Sequence, residues 1–369
     1  MTVQRLTLEH FRNYTHLEAD FHGGVNVIVG ENAQGKTNLL EAIGYLSSGG
    51  SHRARNHREL VQFGCDRARV TGQLWNGQRE LVLDAQLPVG ARRKFTCNGV
   101  GLKTLGELSG LLPSVLFCPE DLHLIREGAG VRRRFLNDCI CQLRPRYAMA
   151  LSNYRRLWEH KTRILRDCGE KPSLMYALDA FSQQMAEYGA ILIHYRAHFV
   201  KRLQETAPAI HADCSGGGEV LDLHYHTVST VTDPLAAPKV ILEQLLDHME
   251  RHKQAEIHSR SCLSGPHKDD LVLDINGQSA KGFASQGQTR TAALALKLAA
   301  RDIMFQDTGQ WPVLLLDDVL SELDRRRQEF VLNRIPTGQV FITCCEVEKE
   351  ELLEQGKVFH ICQGALQEE

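Results

Sequence analysis

The chain has no CxxC pair and no cysteine spacing that reads as a metal site. Its 11 cysteines are an odd number, and the closest are Cys139 with Cys141 and the adjacent Cys344 and Cys345. A zinc framework is excluded and a disulfide scaffold is disfavoured, so reduced thiols in a cytoplasmic protein are expected. No stretch approaches the ~18 consecutive apolar residues of a membrane helix. Met1–His10 has no apolar h-region, so no secretory signal is expected and no membrane partner either. Neither charge sign dominates: 43 Lys+Arg stand against 45 Asp+Glu, a net charge of −2. That excludes a uniformly basic DNA-coating protein but leaves room for a local basic face. Internal repeats and low-complexity segments are absent. What remains is 369 residues, 43% hydrophobic and 24% charged, an ordinary globular composition. At ~100–200 residues per domain, two or three structural units are expected.

Residues 1–125 read as strands, turns and one strong helix. Leu17, Ala19 and Phe21 alternate with polar residues like a half-buried strand. Val25–Val29 is β-prone, and Leu39, Leu40, Ile43 and Leu46 repeat at helical spacing. Asn76-Gly77 and Asn98-Gly99 suit the φ > 0 positions of type I′ hairpin turns, and Asn276-Gly277 follows the strand-like run Leu271–Ile275. From Val131 to Ala207 glycine and proline thin out and helix formers dominate. Ser215–Gly218 is a flexible break, and Pro238–Ile257 is helical again. The pattern predicts an α/β unit built from both chain ends, 1–125 and 259–369, with a helical lobe inserted at 126–258.

Gly30, Glu31, Asn32, Ala33, Gln34, Gly35, Lys36 and Thr37 fit GxxxxGK[ST] between an apolar run and an amphipathic helix. Glycines let several backbone N–H groups converge on one phosphate, and the helix start adds positive charge. Lys36 can reach β/γ-phosphate oxygens and the Thr37 hydroxyl can ligate Mg²⁺. The alternative is a chance glycine turn. Val313–Leu316 is a buried-strand pattern delivering Asp317 and Asp318, and in a parallel sheet it is expected beside the phosphate-loop strand. Asp317 would hold Mg²⁺, and Asp318 would polarise the attacking water. Ser285, Gln286, Gly287 and Gln288 open a helix of strong helix formers. Its exposed N–H groups make a second anion-binding helix end, or simply an ordinary helix start. Asp324 taken alone reads as a helix N-cap.

Gly30–Thr37, Ser285–Gln288, Asp317-Asp318 and Ser321–Asp324 resemble the phosphate loop, signature motif, Walker B and D-loop of ABC-type ATPases. Within that class Phe11–Tyr14, Gly30–Ile43, Phe117–Leu122, Arg133–Leu136, Gly265–Leu271 and Leu315–Asp324 resemble the RecF family of bacterial recombination mediators. The resemblance spans the chain, apart from the middle of the helical lobe. It implies an SMC-like ABC-type ATPase head with an antiparallel β subdomain and a compact helical lobe. It also implies ATP and Mg²⁺ as cofactors, ATP-dependent homodimerisation, DNA binding, and cooperation with RecR and RecO in gap repair and replication restart. Ser285, Gly287 and Gln288 would then meet the partner subunit's nucleotide.

The chain departs from the ABC pattern at three points. Asp318 stands where Glu is usual, which implies slow hydrolysis; a weak, DNA-dependent ATPase is what the resemblance implies. Cys344-Cys345 stand where a switch histidine would follow Phe341–Thr343. The Q-loop glutamine has no clear counterpart, with Glu120 and Asp121 nearest. The alternative, the ATPase subunit of an ABC transporter, conflicts with spacing: 248 residues separate Thr37 from Ser285. A long-armed chromosome organiser would need sustained heptads, which the insert lacks.

The basic residues are uneven. From Arg126 to Arg166 there are 11, namely Arg126, Arg132, Arg133, Arg134, Arg144, Arg146, Arg155, Arg156, Lys161, Arg163 and Arg166, against three acids. Arg53, Arg55 and Arg58 form a second cluster. Arg155, Arg156, Arg163, Arg53 and Arg55 are the expected DNA contacts, with single strand, double strand or junction all admissible. Nothing looks like a recognition helix or a stacking motif, so base readout is expected to be minor.

Overall fold

The computed structural model describes residues 1–319, 323–334, 337–345 and 356–367. The chain divides into two compact units. The first holds Met1–Leu122, Ile210–Gly218 and Arg290–Glu369, and the second His123–Ala209 and Glu219–Thr289. Among the described residues no helix is long and apolar enough to cross a membrane.

The first unit contains two six-stranded sheets. One is antiparallel: β1 (Thr2–Phe11), β2 (Tyr14–Asp20), β4 (Arg67–Trp75), β5 (Glu80–Pro88), β6 (Lys94–Cys97) and β7 (Val100–Leu102), in the order β2-β1-β4-β5-β6-β7. The other uses β3 (Val25–Val29), β8 (Ser114–Phe117), β12 (Val313–Leu316), β13 (Val340–Cys344), β14 (Gly356–Cys362) and β15 (Ala365–Gln367). Its order is β15-β14-β3-β13-β12-β8, parallel except where β14 meets β15. A strand covered on both faces reads as a near-continuous apolar run, and every residue of β3 and β12 is buried; the one polar member, Asn26, is satisfied by His22 N, His22 O and Gly24 O. Strand β12 does not run beside β3 as expected; β13 lies between them. Sheet order is a long-range property that a strand's own residues do not encode.

The helix Lys36–Ser48 leaves β3 through the glycine loop and buries Leu39, Leu40, Ile43 and Leu46 in one cluster with Leu315 and Phe341. Each such side chain contributes about 1.5–3 kcal/mol of burial, so the loop sits on a rigid base. The turns differ. Asn98 and Gly99 (φ 50° and 79°) make the expected two-residue type I′ link, as do Asn276 and Gly277 (φ 52° and 72°). Asn76-Gly77 instead lies in a four-residue loop, because Trp75 pairs with Glu80 and the Asn76 side chain accepts from Gln78 N and Arg79 N.

The second unit is mostly helical: Ala129–Leu143, Pro145–Asp167, Met175–Ser215 up to Ala209, and Pro238–Ser259. It also has its own sheet of β9 (Leu221–His226), β10 (Asp270–Ile275) and β11 (Gln278–Ser279). This moves the expected lobe boundary. Residues 259–289 fall in the second unit because β10 pairs with β9 from Asp270↔His226 to Ile275↔Leu221. Asp269, wholly buried, pairs with Arg196 at 2.7 Å and accepts from Thr227 and Tyr225. Residues 123–125 also fall there, whereas Ile210–Gly218 count with the first unit. Pro208 sits inside the Met175–Ser215 helix without ending it. The lost hydrogen bond and ring clash cost about 3 kcal/mol, offset by buried Leu203, Ala207 and Ile210.

Candidate active site

The loop from Gly30 to Thr37 is fixed by its neighbours. Gly35 has φ 123°, and a Cβ there would press on Asn13 and Tyr14; only glycine fits. The Tyr14 hydroxyl donates to Gly35 O (2.9 Å) and Asn13 Nδ2 to Gln34 O (2.8 Å). From the far side, Gly364 N donates to Gln34 O (3.0 Å) and Gln363 N to Gln34 Oε1 (2.5 Å). A Cβ on Gly30 would collide with Ile361 O. Lys36 is buried, with Nζ donating to Gly30 O (2.5 Å) and Glu31 O (3.0 Å). The ammonium is thus folded onto the concavity of its own loop, where an anion would attract it.

Strand β12 brings Asp317 under this loop. Thr37 Oγ1 donates to Asp317 Oδ1 (2.8 Å), and Thr343 Oγ1 from β13 donates to the same oxygen (2.9 Å). Burial holds the Asp317 carboxyl above the usual carboxylate pKa, against the opposing pull of these two hydroxyls. Asp318 turns out of the strand with φ 51°, a strained backbone for a residue with a Cβ. Its N–H donates to Thr343 Oγ1 (2.8 Å). A hydroxyl and a carboxylate at one point suit Mg²⁺, which takes few protein oxygens and completes its shell with phosphate and water.

A second layer lies one turn along the helix. Glu41, wholly buried, accepts two bonds from Arg12 (2.8 Å each) and one from Ser51 Oγ. Burial acts to raise the Glu41 pKa, but Arg12 and Ser51 bring it below the ordinary carboxylate value. Next to Ser51, the Nε2 of His52 is buried with no hydrogen-bond partner among the described residues. Burial lowers its pKa, with the Glu41, Asp317 and Glu120 carboxylates pulling the other way. The sequence by itself assigns no role to Glu41, His52 or Thr343. A charged residue inside an otherwise apolar helix face was the available signal for Glu41; His52 and Thr343 carried none.

Residues 2–363 match the family model for the RecF/RecN/SMC N-terminal domain. The chain is 39% identical over 371 residues to the DNA replication and repair protein RecF of Bacillus subtilis, covering 99% of this chain and 100% of that protein. The chain belongs to the RecF family. It is also 36% identical to the RecF of Acetivibrio thermocellus, over 94% of each. A solved structure of the recombination mediator protein RecF with ATP in the RecFOR pathway superimposes with a TM-score of 0.92 at 33% identity, covering 99% of this chain and 96% of that one. The Smc head domain of Pyrococcus furiosus, at TM-score 0.58 and 16% identity, shares the fold. These matches favour the RecF reading over a transporter ATPase.

The remaining motif positions of this RecF-family chain divide between the units. The loop Gly30–Thr37, Asp317 and Asp318 come together in the first, whereas Ser285, Gly287 and Gln288 belong to the second. There Ser285 and Gln288 close a capping box: Ser285 N donates to Gln288 Oε1 (2.8 Å) and Gln288 N to Ser285 Oγ (3.2 Å). Asp324 caps the helix Arg325–Arg334, accepting from Arg327 N at 3.1 Å; Ser321 and Glu322 lie outside the described residues. At the switch position, the Cys345 thiol lies 3.6 Å from Lys36 Nζ and donates to Asn32 Oδ1 (3.3 Å). Asp121 is engaged structurally, by Lys297 at 2.8 Å and Cys118 N at 2.9 Å. Glu120 is exposed.

The basic excess is smaller at the surface than in the sequence. Arg132 is buried on Asp270 (2.6 and 2.8 Å), Arg133 donates to Asp269 O (2.6 Å), and Lys161 is buried on Glu256 (2.6 Å). These three hold the second unit together. Arg155, Arg156 and Arg163 are exposed along the helix Pro145–Asp167. Arg53 and Arg55 are exposed in the first unit, and Arg53 donates to Asn38 Oδ1 (3.1 Å) on the phosphate-loop helix.

Proposed function

We propose that the chain binds ATP at Gly30–Thr37, hydrolyses it slowly in a DNA-dependent way, and closes on ATP into a homodimer. The dimer binds DNA without sequence preference and works with RecR- and RecO-type partners to load recombinase at gaps, in the cytoplasm. The observation that carries the nucleotide reading is the hydrogen bond from Thr37 to Asp317, which joins the phosphate-loop helix to the acidic end of β12 in a chain of this family. Thr37 and Asp317 would hold Mg²⁺, whose chemistry is to neutralise phosphate charge. Lys36 exchanges its loop carbonyls for phosphate oxygens, a stronger charge-assisted bond. Asp318 holds the attacking water; being one methylene shorter than Glu, it reaches less far, which supports slow turnover. Ser285, Gly287 and Gln288 present a helix start to the partner subunit's γ-phosphate. The solved RecF with ATP in the RecFOR pathway supports both the nucleotide and the partners.

The test is nucleotide affinity. Lys36→Ala should lose ATP affinity while the far-ultraviolet circular dichroism and unfolding midpoint stay close to the parent's. Unchanged affinity in the folded variant would refute the site.

A further inference from the structure

Phe63 is more exposed than any other large apolar side chain among the described residues, at 103% of its reference area. It stands at the tip of a tight turn in which Cys65 N donates to Gln62 O (3.0 Å) and Gly64 takes φ 85° with open space around it. The base of that turn is pinned. Gln62 N donates to His10 O (2.7 Å), Gln62 Nε2 to Thr15 Oγ1 (3.1 Å), and Phe11 bridges Val61. The ring is therefore held out on a fixed support, which forgoes about 1.5–3 kcal/mol of burial.

The surrounding segment is cationic. Between Arg53 and Arg67 the chain carries Arg53, Arg55, Arg58 and Arg67 against Glu59 and Asp66. Glu59 is tied into the capping box with Asn56, and Arg55, Arg58 and Arg67 are exposed alongside a single further acid, Asp66. An apolar pocket on a protein partner would not need neighbouring positive charge. A π-face in a segment of net positive charge matches a nucleobase flanked by phosphates, since every base offers a face for stacking and every linkage a negative charge.

We propose that Phe63 is a stacking platform for an unpaired base of DNA, with Arg55, Arg58 and Arg67 meeting the neighbouring phosphates. This rests on the DNA-binding reading above. It gives the chain a means of telling unpaired bases from a closed duplex, which the basic clusters alone do not supply.

The test compares the full-length parent with Phe63→Ala and Phe63→Trp, each with ATP and Mg²⁺. Probes are a single-stranded oligonucleotide carrying 2-aminopurine and a blunt duplex of equal length. Phe63→Ala should bind the single strand roughly tenfold more weakly, as for loss of one stacked base, and the duplex as the parent does. Phe63→Trp should restore the affinity, and the 2-aminopurine signal should respond in the parent and Phe63→Trp only. Equal affinities for all three proteins, or an equal loss on the blunt duplex, would overturn the proposal. So would loss of binding to phosphatidylserine vesicles in Phe63→Ala with DNA binding intact, which would make the tip a lipid contact. A parent that binds neither DNA at low salt overturns the DNA reading itself, an outcome distinct from a parent that binds both.

Discussion

Replacing Arg12 by Met keeps the side chain's apolar stem but leaves Glu41 inside the first unit without its cation. Arg12 makes two bonds to the carboxylate and a third, from Nη1, to Glu59 O, all at 2.8 Å. The Glu41 side chain is 0% exposed and that of Arg12 21%. Removing one partner of a buried pair costs about 3–5 kcal/mol; partial exposure of Arg12 places this pair at about 3. The sign of the pH dependence follows from Glu41. In the parent its folded pKa is lowered, so its stabilisation is present above the unfolded carboxyl value of about 4.3. It is lost as pH falls through the folded pKa. Without Arg12, burial dominates and the folded pKa rises, so the carboxylate opposes folding at neutral pH and protonation relieves it. The deficit of Arg12→Met should be full above the raised Glu41 pKa and shrink as the pH is lowered through it towards the unfolded carboxyl value. Urea unfolding gives the size, and hydrogen exchange of the Lys36–Ser48 amides locates it, since a chain of two units need not unfold in one step. The double variant Arg12→Met with Glu41→Leu should recover most of the loss. A single variant within about 0.5 kcal/mol of the parent on both sides of the raised Glu41 pKa, or a double variant no better than the single, would refute the reasoning.

Asp318→Asn should still bind ATP but turn over about 10²-fold more slowly, as for loss of a positioned base; single-turnover hydrolysis at the parent rate would place the base elsewhere. Arg155, Arg156 and Arg163 changed together to Glu should weaken binding to all DNA sequences about equally and leave ATP binding intact. The parent's affinity should fall with salt by a slope of roughly −0.9 per duplex contact. A triple variant that binds like the parent across several salt concentrations would move the DNA face to Arg53, Arg55 and Arg58.

The strand, glycine turn and helix around Gly30–Thr37 were legible because they are contiguous and each constraint is local. Asp317 was legible as an acid at a strand end, but not its strand's neighbours, since pairing is decided between segments and β13, the next strand in the chain, takes the place beside β3. The run Leu271–Ile275 read correctly as a strand. Its assignment to the head did not hold, because strand texture does not say which sheet a strand joins. Counting charge could not separate Arg132, whose partner Asp270 is 138 residues away, from exposed Arg155. Ser285 and Gln288 were legible as a helix start because a capping box spans four residues. Phe63 carried no signal at all, since in sequence an exposed phenylalanine looks like a core one.

Sedimentation with and without ATP and Mg²⁺ tests the central claim most directly, using the parent, Lys36→Ala and Ser285→Arg. ATP should convert the parent from monomer to dimer and leave Lys36→Ala monomeric for want of nucleotide. Ser285→Arg should bind ATP with the parent's affinity and stay monomeric, because the bulky cation blocks the helix start from the partner's nucleotide. A parent that remains monomeric with ATP bound, or an ATP-dependent dimer of Ser285→Arg, would contradict an ATP-closed pair of subunits.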